Sequence, residues 1–468
     1  MHRGLSGRQR RGGIPTVPHP CSGRHRVTGD SLQVTNPFSA LRYPSFARFA
    51  LGTTFCGIAQ FLAGLATPFL INQLTDSNSW VGAASFAALL PAVIGTPFAG
   101  ALADQMDRRL LLLAGIGLQS LVMVAIVVLH ASGHLTPWLI LGLNFVGGSA
   151  SSFLWAPTQS LAAVLVPRES LAAAVRMVSI TFTVARSVGP VVAALTLAFG
   201  GPGLAFSVAL GIYVVGFSVL TTVRTGWSPT GGGGSLRSQL GDGIAYVRAR
   251  PEMRLAFRLA FTVASFGAVF AFALTAGVAD DLYGLGGGGL GVLATSAGVG
   301  SLLASAYISG PGSRVARSIM EHRNILLYGF GLVVAASTGW MAVGIVGYLC
   351  MGAAHMLHGT TLSTALQVRV DDAYRGRVMS VFLVAVLSGI PLGGLAFGIL
   401  SDLVGLRWVA LGAGLVLLVD ALSLRRRGLL AMLDVEIPSE GDRAEVVDAG
   451  PVADDGDSGD DRGDAGPR

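Results

Sequence analysis

Apolar runs of about twenty residues recur from Phe46 to Leu424, separated by short polar stretches. A helix needs about 20 such residues to cross the ~30 Å hydrocarbon core of a bilayer. Only 12% of the residues are charged, whereas about 25% is usual in soluble proteins. The runs are too long and too continuous for the alternating strands of a membrane barrel. The sequence therefore predicts an all-α membrane protein with many crossings.

Twelve runs fit between Phe46 and Leu424, and we number the corresponding helices span 1 to span 12. The predicted spans are residues 46–70, 81–103, 110–129, 137–160, 171–198, 203–222, 256–278, 289–309, 324–340, 342–366, 377–400 and 406–424. An even number of spans places both ends of the chain on the same side of the membrane.

All basic residues are arginines, and they are distributed unevenly between the loops. Even-numbered loops carry many of them, whereas the odd-numbered loops carry only Arg407. Because cytoplasmic loops are enriched in arginine, we predict a multi-pass protein of the plasma (inner) membrane with both termini cytoplasmic. A chain without lysine has no Gly-Lys-Ser/Thr phosphate loop, which excludes an ATP-driven pump of that type. Because the arginines are distributed according to the side of the membrane, the net positive charge gives no reason to expect a nucleic-acid partner.

The longest polar interruption divides the spans into six and six. It contains Gly231 to Gly234, so its first part is expected to be flexible. The predicted domains are a mostly disordered cytoplasmic N-terminal tail at 1–45, a six-helix bundle at 46–222, a cytoplasmic linker at 223–255, a second six-helix bundle at 256–424, and an acidic, disordered cytoplasmic tail at 425–468.

The two halves resemble each other when one is shifted by 201 residues. The shift places Leu161, Leu165, Arg168, Arg176, Ser179, Ser187 and Pro190 on Leu362, Leu366, Arg369, Arg377, Ser380, Ser388 and Pro391. Two parallel repeats joined by a flexible loop are typical of transporters in which one half rocks against the other around a central site.

Several phrases of the sequence resemble one family. The stretch "FAGALADQMDRRLLL" after span 2 is similar to the signature of the second-to-third loop in the major facilitator superfamily. The phrases "NPFSALRYPSFARF", "LVPRESLAAA", "ARSVGPVVAAL" and "RGRVMSV" resemble the branch with the macrolide-efflux and enterobactin-exporter proteins. The resemblance covers roughly residues 36–424. It implies twelve helices in two pseudo-symmetric bundles, and a secondary transporter without cofactor, most often a proton-driven exporter, instead of an enzyme.

The loop after span 2 combines a small residue with charges at one boundary of the membrane. Gly100 allows another helix to approach closely, and Asp104 would lie at the membrane edge. The N-terminus of a helix attracts a carboxylate because its free N–H groups carry partial positive charge. We expect the start of span 11, at Gly376 and Arg377, to meet Asp104. This contact would hold the cytoplasmic side closed.

Arg108 and Arg109 complete this predicted cytoplasmic gate, although ordinary loop charge explains both arginines equally well. Asp107 stands where the superfamily signature more often has glycine. The corresponding loop of the second half, residues 310–323, has Arg314 and Arg317 but no matching aspartate. Any second gate of this kind would therefore be degenerate.

Arg186 lies ten residues after Arg176, about 15 Å along span 5. At that depth an arginine costs about 2.5–3.5 kcal/mol. It could anchor an anionic substrate, exchange ion-pair partners during transport, or be satisfied by neighbouring helices. Gly189 and Pro190 follow and soften the helix. They resemble the antiporter motif of the superfamily, whose later glycines are alanines here.

The residue that carries a coupling proton is not evident from span 1, which has no carboxylate and places Gln60 where related exporters often have an acid. The remaining candidates are His355 and His358 in span 10 and Asp420 in span 12. Residues three apart share a helix face, and histidine titrates near neutral pH. Both histidines could instead be neutral and hydrogen-bonded, Asp420 could reach the interface, and a metal site would lack further ligands.

A substrate cavity would draw on spans 1, 4, 7 and 10. The polar or aromatic side chains that we expect there are Gln60, Asn144, Trp155 and His355, with Phe266, Phe270 and Phe272 from span 7. An apolar cavity with few polar anchors suits an amphipathic small molecule.

The sequence thus predicts a monomeric transporter that exports a drug-like or siderophore-like compound in exchange for protons. An importer or a lipid flippase of the same fold is the first alternative. A transport-inactive sensor would signal through residues 434–468. A membrane enzyme is a further alternative, indicated only by the pair His355 and His358.

Overall fold

The structure is a computed structural model that describes residues 37–224, 236–371 and 374–434. Within these ranges, the side chains of 37, 96–105, 155–156, 236–240 and 242 are not described. The described chain is helical throughout and contains no strand. The fold class predicted from the sequence is confirmed, with twelve membrane spans arranged as two pseudo-symmetric halves.

The spans follow one another with short connections. In chain order they are Pro44–Thr75, Asn78–Gln105, Arg108–Ala131, Pro137–Ser152 continued by Trp155–Val164, the two parts of Leu171–Thr221, Pro251–Val263 continued by Ala264–Ala273, Gly286–Ser309, Arg317–Ser337, Met341–Arg369, Arg375–Val404 and Leu406–Arg426. Span 7 continues beyond the membrane segment in the short turns Thr275–Gly277 and Val278–Leu282.

Ten helices of the described chain are long and apolar enough to cross a membrane. One of them, Leu171–Thr221, contains both span 5 and span 6. The two spans are separated at Gly201, whose φ of 65° and ψ of −164° break the helix. Only glycine adopts this backbone conformation readily. Span 9 has the length of a crossing but begins with a charged turn that includes Glu321.

Span 9 also corrects a predicted boundary, since its helix begins at Arg317 and not at residue 324. The sequence-based boundary was set after the charged residues, on the assumption that they lie in a loop. The helix instead includes them, and Glu321 is completely buried.

The two halves meet along two seams, span 2 against span 11 and span 5 against span 8. Both seams depend on small residues. A Cβ atom on Gly82 would lie 2.1 Å from the carbonyl oxygen of Gly394, and one on Gly291 would lie 1.9 Å from Cβ of Ala194. Helices in lipid approach this closely only where side chains are absent or small. The pseudo-symmetry of the sequence thus extends to the packing between the halves.

Two predicted tails are shorter than the sequence suggested. Residues Pro37–Arg42 form a 3₁₀-helix before span 1. At the other end, the predicted disorder from residue 425 is wrong for the first residues, because Leu429–Leu433 forms a 3₁₀-helix that buries Leu430 and Leu433. Arg369 of span 10 donates a hydrogen bond to the carbonyl oxygen of Asp434 at 2.7 Å.

The linker between the halves is partly helical. Leu236–Ala249 forms a helix, which we call the linker helix. The glycines at 231–234, on which predicted flexibility depended, lie outside the described residues. The linker helix packs against the start of span 11, where a Cβ on Gly243 would lie 3.0 Å from the carbonyl oxygen of Arg377.

Candidate functional site

A cavity of about 470 Å³ lies between the two halves. Spans 1, 3, 4, 5 and 6 line it from the first half, and spans 8 and 10 from the second. Its polar lining includes Gln60, Thr158, Arg186 and Ser301, and no acidic residue of the described chain lines it. The cavity is therefore mostly apolar, with hydroxyl and amide groups and one cationic side chain.

Arg186 of span 5 comes together with two other predicted residues. Its guanidinium carbon lies 5.8 Å from the ring centroid of Phe272 in span 7. That ring in turn lies 4.9 Å from the imidazole of His355 in span 10. Among the described residues, no carboxylate forms an ion pair with Arg186. The guanidinium of Arg186 is thus a half-buried cation that packs against an aromatic ring. Its N–H groups are not taken up by a carboxylate of the described chain.

The other predicted lining residues are placed differently. Asn144 is not among the residues that line the cavity, and its amide donates to the carbonyl oxygen of Ala84 in span 2 at 3.4 Å. Phe266 and Phe270 pack on Phe397 of span 11, with ring centroids 5.3 and 5.7 Å away. The side chain of Trp155 lies outside the described residues.

The predicted helix-flexing motif in span 5 lies against span 1. A Cβ on Gly189 would lie 2.5 Å from Cβ of Phe61 and 3.1 Å from the carbonyl oxygen of Ile58. Glycine here permits close packing, and the helix continues through Pro190.

The two candidate histidines of span 10 have different surroundings. Nδ1 of His358 lies 2.6 Å from Oε1 of Glu321 in span 9, and both side chains are buried. His355 instead packs on aromatic rings, and its Nδ1 has no hydrogen-bond partner among the described residues. No group of three or more potential metal ligands occurs in the described chain. Glu321 was not predicted as a site residue, because its charged neighbours in the sequence are typical of a loop.

Asp420, the third candidate, forms an ion pair with Arg258 of span 7. Arg258 was not singled out from the sequence. This pair links span 7 to span 12 as a structural contact.

The two halves are joined at the end of the molecule that carries the odd-numbered loops. Asp402, at the end of span 11, accepts hydrogen bonds from the backbone N–H groups of Asn78 and Ser79 at 2.8 and 3.0 Å, and from the hydroxyl of Ser77 at 2.6 Å. These N–H groups belong to the start of span 2, where intrahelical partners are lacking. A carboxylate of the second half thus caps a helix of the first.

Two further contacts strengthen this end. The amide of Asn72 donates to Asp280 at 3.0 Å, and that of Asn78 donates to Asp281 at 2.8 Å. Burial raises the pKa of the Asp281 carboxyl, and nearby acids add to this effect against the hydrogen bond from Asn78. We call the set Asn72, Ser77, Asn78, Ser79, Asp280, Asp281 and Asp402 the odd-end latch.

At the even-loop end, the predicted gate is only partly described. Gly100 and Asp104 lie in span 2, but their side chains are outside the described residues. Gly376 is exposed at the start of span 11, with open space around its Cα. Arg377 lies 5.5 Å from the ring of Tyr374. The contact between Asp104 and span 11 therefore stays a prediction.

Asp107 and the predicted gate residue Arg109 form their contacts within the first half. Asp107 caps span 3 by accepting a hydrogen bond from the backbone N–H of Arg109 at 2.9 Å. The guanidinium of Arg109 donates to the carbonyl oxygen of Thr221, at the end of span 6, at 2.6 Å. An aspartate in place of the family's glycine is explained by this helix cap. Arg108 begins span 3.

The linker helix binds the loop between spans 10 and 11. The hydroxyl of Tyr246 donates to Asp371 at 3.1 Å, and its ring stacks on Tyr374 with centroids 4.9 Å apart. The guanidinium of Arg250 lies 3.6 Å from the centre of the Tyr246 ring. This cluster joins the linker helix to Asp371 and Tyr374, which flank the start of span 11.

A helical membrane protein with a cavity between two pseudo-symmetric halves, joined by polar contacts at one end, has the architecture of a secondary transporter. The family model described as "Transmembrane secretion effector" matches residues 35–449. The chain therefore belongs to this family of the major facilitator superfamily, and it is a membrane transporter. A search of curated proteins finds no match.

Solved structures with the same fold include three kinds of transporter. The nucleoside transporter NupG is 14% identical, with a TM-score of 0.66 over 84% of this chain and 99% of that one. A bacterial homologue of the human lysosomal transporter Spinster, inward-facing and unoccupied, is 16% identical, with a TM-score of 0.64 over 84% and 97%. A POT family transporter in complex with 5-aminolevulinic acid is 12% identical, with a TM-score of 0.67 over 82% and 95%. At such identities the likeness concerns the fold alone.

Proposed function

We propose that this transporter exports a drug-like or siderophore-like small molecule in exchange for protons, by alternating access. The observation that carries the proposal is the cavity of about 470 Å³ between halves that are latched together at the odd-loop end. The description of the family as a secretion effector supports outward transport. The resemblance to macrolide-efflux and enterobactin-exporter proteins supports the class of cargo.

The orientation follows from the arginines. If the even-numbered loops are cytoplasmic, as their arginine content favours, the odd-end latch faces the outside. The conformation described here is then closed to the outside, and cargo enters the cavity from the cytoplasm or the inner leaflet. The protein would reside in the plasma membrane with cytoplasmic termini.

The lining of the cavity favours an amphipathic cargo. Gln60 and Arg186 offer hydrogen-bond donors, and Phe182 and Leu154 offer apolar surface. Because Arg186 forms no ion pair with a described acid, its guanidinium is available to an acceptor oxygen of the cargo. A mostly apolar site with few polar anchors can bind amphipathic molecules without a specific contact to each of their polar groups.

Alternating access requires a second closed end. We propose that Asp104 then caps the start of span 11, as Asp402 caps the start of span 2 in the present conformation. Spans 2 and 11 cross the membrane in opposite directions, so that each span has its acidic residue at the end where the other span begins. During transport, the cap of Asp402 on span 2 would break and the cap of Asp104 on span 11 would form.

Inside-out vesicles that contain the protein test this function. We expect a radiolabelled macrolide or a radiolabelled catecholate siderophore to accumulate in these vesicles when their lumen is acidic, and not after a protonophore has been added. Arg186→Ala is expected to weaken accumulation, because the anchor is lost. Accumulation only in right-side-out vesicles would contradict export and favour an importer of the same fold.

A further inference from the structure

The second half of the chain encloses an ionisable pair outside the cavity lining. Glu321 has no solvent-exposed surface, and its Oε1 lies 2.6 Å from Nδ1 of His358. An ionised carboxylate is unfavourable away from water unless a charged or hydrogen-bonding group compensates it. The two side chains therefore share a proton, as carboxylate with imidazolium or as acid with neutral imidazole.

The second oxygen of Glu321 is weakly bound. Its Oε2 lies 3.5 Å from the amide nitrogen of Asn324, and the same nitrogen lies 3.5 Å from the hydroxyl of Thr361. These are long for hydrogen bonds. Oε2 can accordingly take up a proton without breaking a strong contact, while Oε1 keeps its bond to His358.

The charged and titratable groups around the pair come from several spans. On span 9, His322 lies beside Glu321 in the chain, and its Nε2 is 3.4 Å from the guanidinium of Arg425 in span 12. Arg258 of span 7 forms its ion pair with Asp420 of span 12 and not with Glu321. The residues Ala264–Ala273 of span 7 and Gly286–Ser309 of span 8 include no acid, histidine or arginine. Among the described residues, Glu321 is the one carboxylate bound to His358.

Incompletely bonded polar groups also occur on spans 9 and 10, which carry the pair. His355 lies one helical turn before His358, and neither its Nδ1 nor the hydroxyl of Tyr328 has a partner among the described residues. The rings of His355 and Tyr328 lie 6.3 Å apart. His355 also packs on Phe272, which holds Arg186. Buried polar atoms without partners are rare in folded proteins, so these two groups have hydrogen-bonding capacity that the fold does not use.

We propose that the pair Glu321 and His358 binds the coupling proton, and that His355 lies on the route between the pair and the cavity. The proposal rests on the proposed proton-coupled function. On uptake, a proton adds to Oε2 of Glu321 while His358 remains protonated, and the charge of the pair rises from zero to plus one. On release, the proton leaves toward the cavity and the pair returns to zero. Burial of Glu321 keeps this step out of contact with bulk water in the present conformation.

Proton binding is measurable on the purified full chain without cargo, by infrared difference spectroscopy during a pH titration. A protonated buried carboxyl has a C=O stretching band that a carboxylate lacks. We expect such a band to appear as the pH falls in the wild type and in the Asp420→Asn control. The band is expected to be absent in Glu321→Gln and to titrate at a different pH in His358→Gln. The same band, with the same midpoint, in Glu321→Gln would overturn the proposal.

Transport in proteoliposomes provides the second readout, with a radiolabelled macrolide and a radiolabelled catecholate siderophore as probes. In Glu321→Gln, accumulation driven by a pH gradient should fall to the level of protein-free liposomes. Exchange of labelled for unlabelled probe at equal pH should continue, because it needs no net proton movement. Glu321→Asp should recover part of the driven accumulation, and Asp420→Asn should retain it.

The outcomes separate this proposal from the proposed function. If the wild type accumulates neither probe, the proposed cargo class is wrong, and the infrared titration alone decides the proton site. If the wild type accumulates a probe and Glu321→Gln does so with the same pH dependence, the function stands and the assignment of the pair is wrong. Loss of exchange as well as accumulation in Glu321→Gln, with a normal thermal unfolding temperature, would also contradict it.

Discussion

The two ends of spans 2 and 11 differ in a way that clarifies how the protein closes. At the odd-loop end, Asp402 of span 11 caps the first backbone N–H groups of span 2. At the even-loop end the two spans have exchanged places. Here the acidic residue, Asp104, is near the end of span 2, and the helix start, at Gly376, belongs to span 11. An acidic residue at the end of one span and the first turn of the other span thus occur at both ends, and the cap by Asp402 is formed in this conformation. The comparison supports the proposal that closure at either end uses a contact of the same kind.

The seam beneath the odd-end latch offers the largest expected effect. Gly82→Ala places a methyl group where the carbonyl oxygen of Gly394 lies 2.1 Å away. Overpacking of this kind typically costs about 1–3 kcal/mol, so the halves should close less readily at this end. We expect transport to fall by roughly fivefold to a hundredfold, since 1.4 kcal/mol corresponds to a factor of ten. Gly412→Ala, which has open space in span 12, is the matched control for an added methyl group and should transport normally.

The cap itself offers a smaller effect. Asp402→Asn removes the charge and one acceptor from the start of span 2. Loss of a negative charge at a helix N-terminus costs about 0.3–1 kcal/mol, so the population closed at the odd-loop end should fall by roughly twofold to fivefold. Accessibility of the cavity residue Ser301→Cys to a membrane-impermeant thiol reagent, added at the odd-loop side, measures this. Asp76→Asn removes a charge from the same end, where Asp76 is exposed and ends span 1. Equal reactivity of the two variants would count against the cap.

The pH dependence of closure is the smallest effect. In the closed state, burial raises the pKa of Asp281 above its ordinary value of 3.8. A group that binds its proton more tightly in the closed state favours closure as the pH falls, and this contribution is lost as the pH rises through the raised pKa. Thiol accessibility from the odd-loop side should therefore increase with pH in this window. Asp281→Asn should reduce that slope, and an unchanged slope would show that other groups set it.

The sequence predicted the architecture because hydrophobic length and arginine placement act locally. Each of the twelve spans could be recognised without knowing its neighbours. Arg186 and His355 were identified for the same reason, since a charged or titratable side chain in an apolar helix is conspicuous by itself. The structure adds that Phe272 lies between them.

Residues whose role depends on a distant partner were missed. In the sequence, nothing distinguishes Asp402 from other acidic residues at the end of a span. Only the fold brings it to Asn78, which is 324 positions away in the chain. Glu321 was read as a loop residue because Arg317 and Arg323 flank it. The signal that could have identified it is its helical spacing with Asn324, which places both side chains on one face. The leucines of Leu429–Leu433 were likewise overlooked within an acidic tail.

The most direct test of the exchange between two caps is a distance distribution across the odd-loop end. Spin labels at Leu74→Cys and Leu403→Cys, which are exposed on opposite halves, can be measured by pulsed electron paramagnetic resonance with the three native cysteines replaced by serine. The account predicts that Asp402→Asn shifts the distribution to longer distances and that Asp104→Asn shifts it to shorter ones. A distribution that Asp402→Asn leaves unchanged, or that Asp104→Asn lengthens, would contradict it.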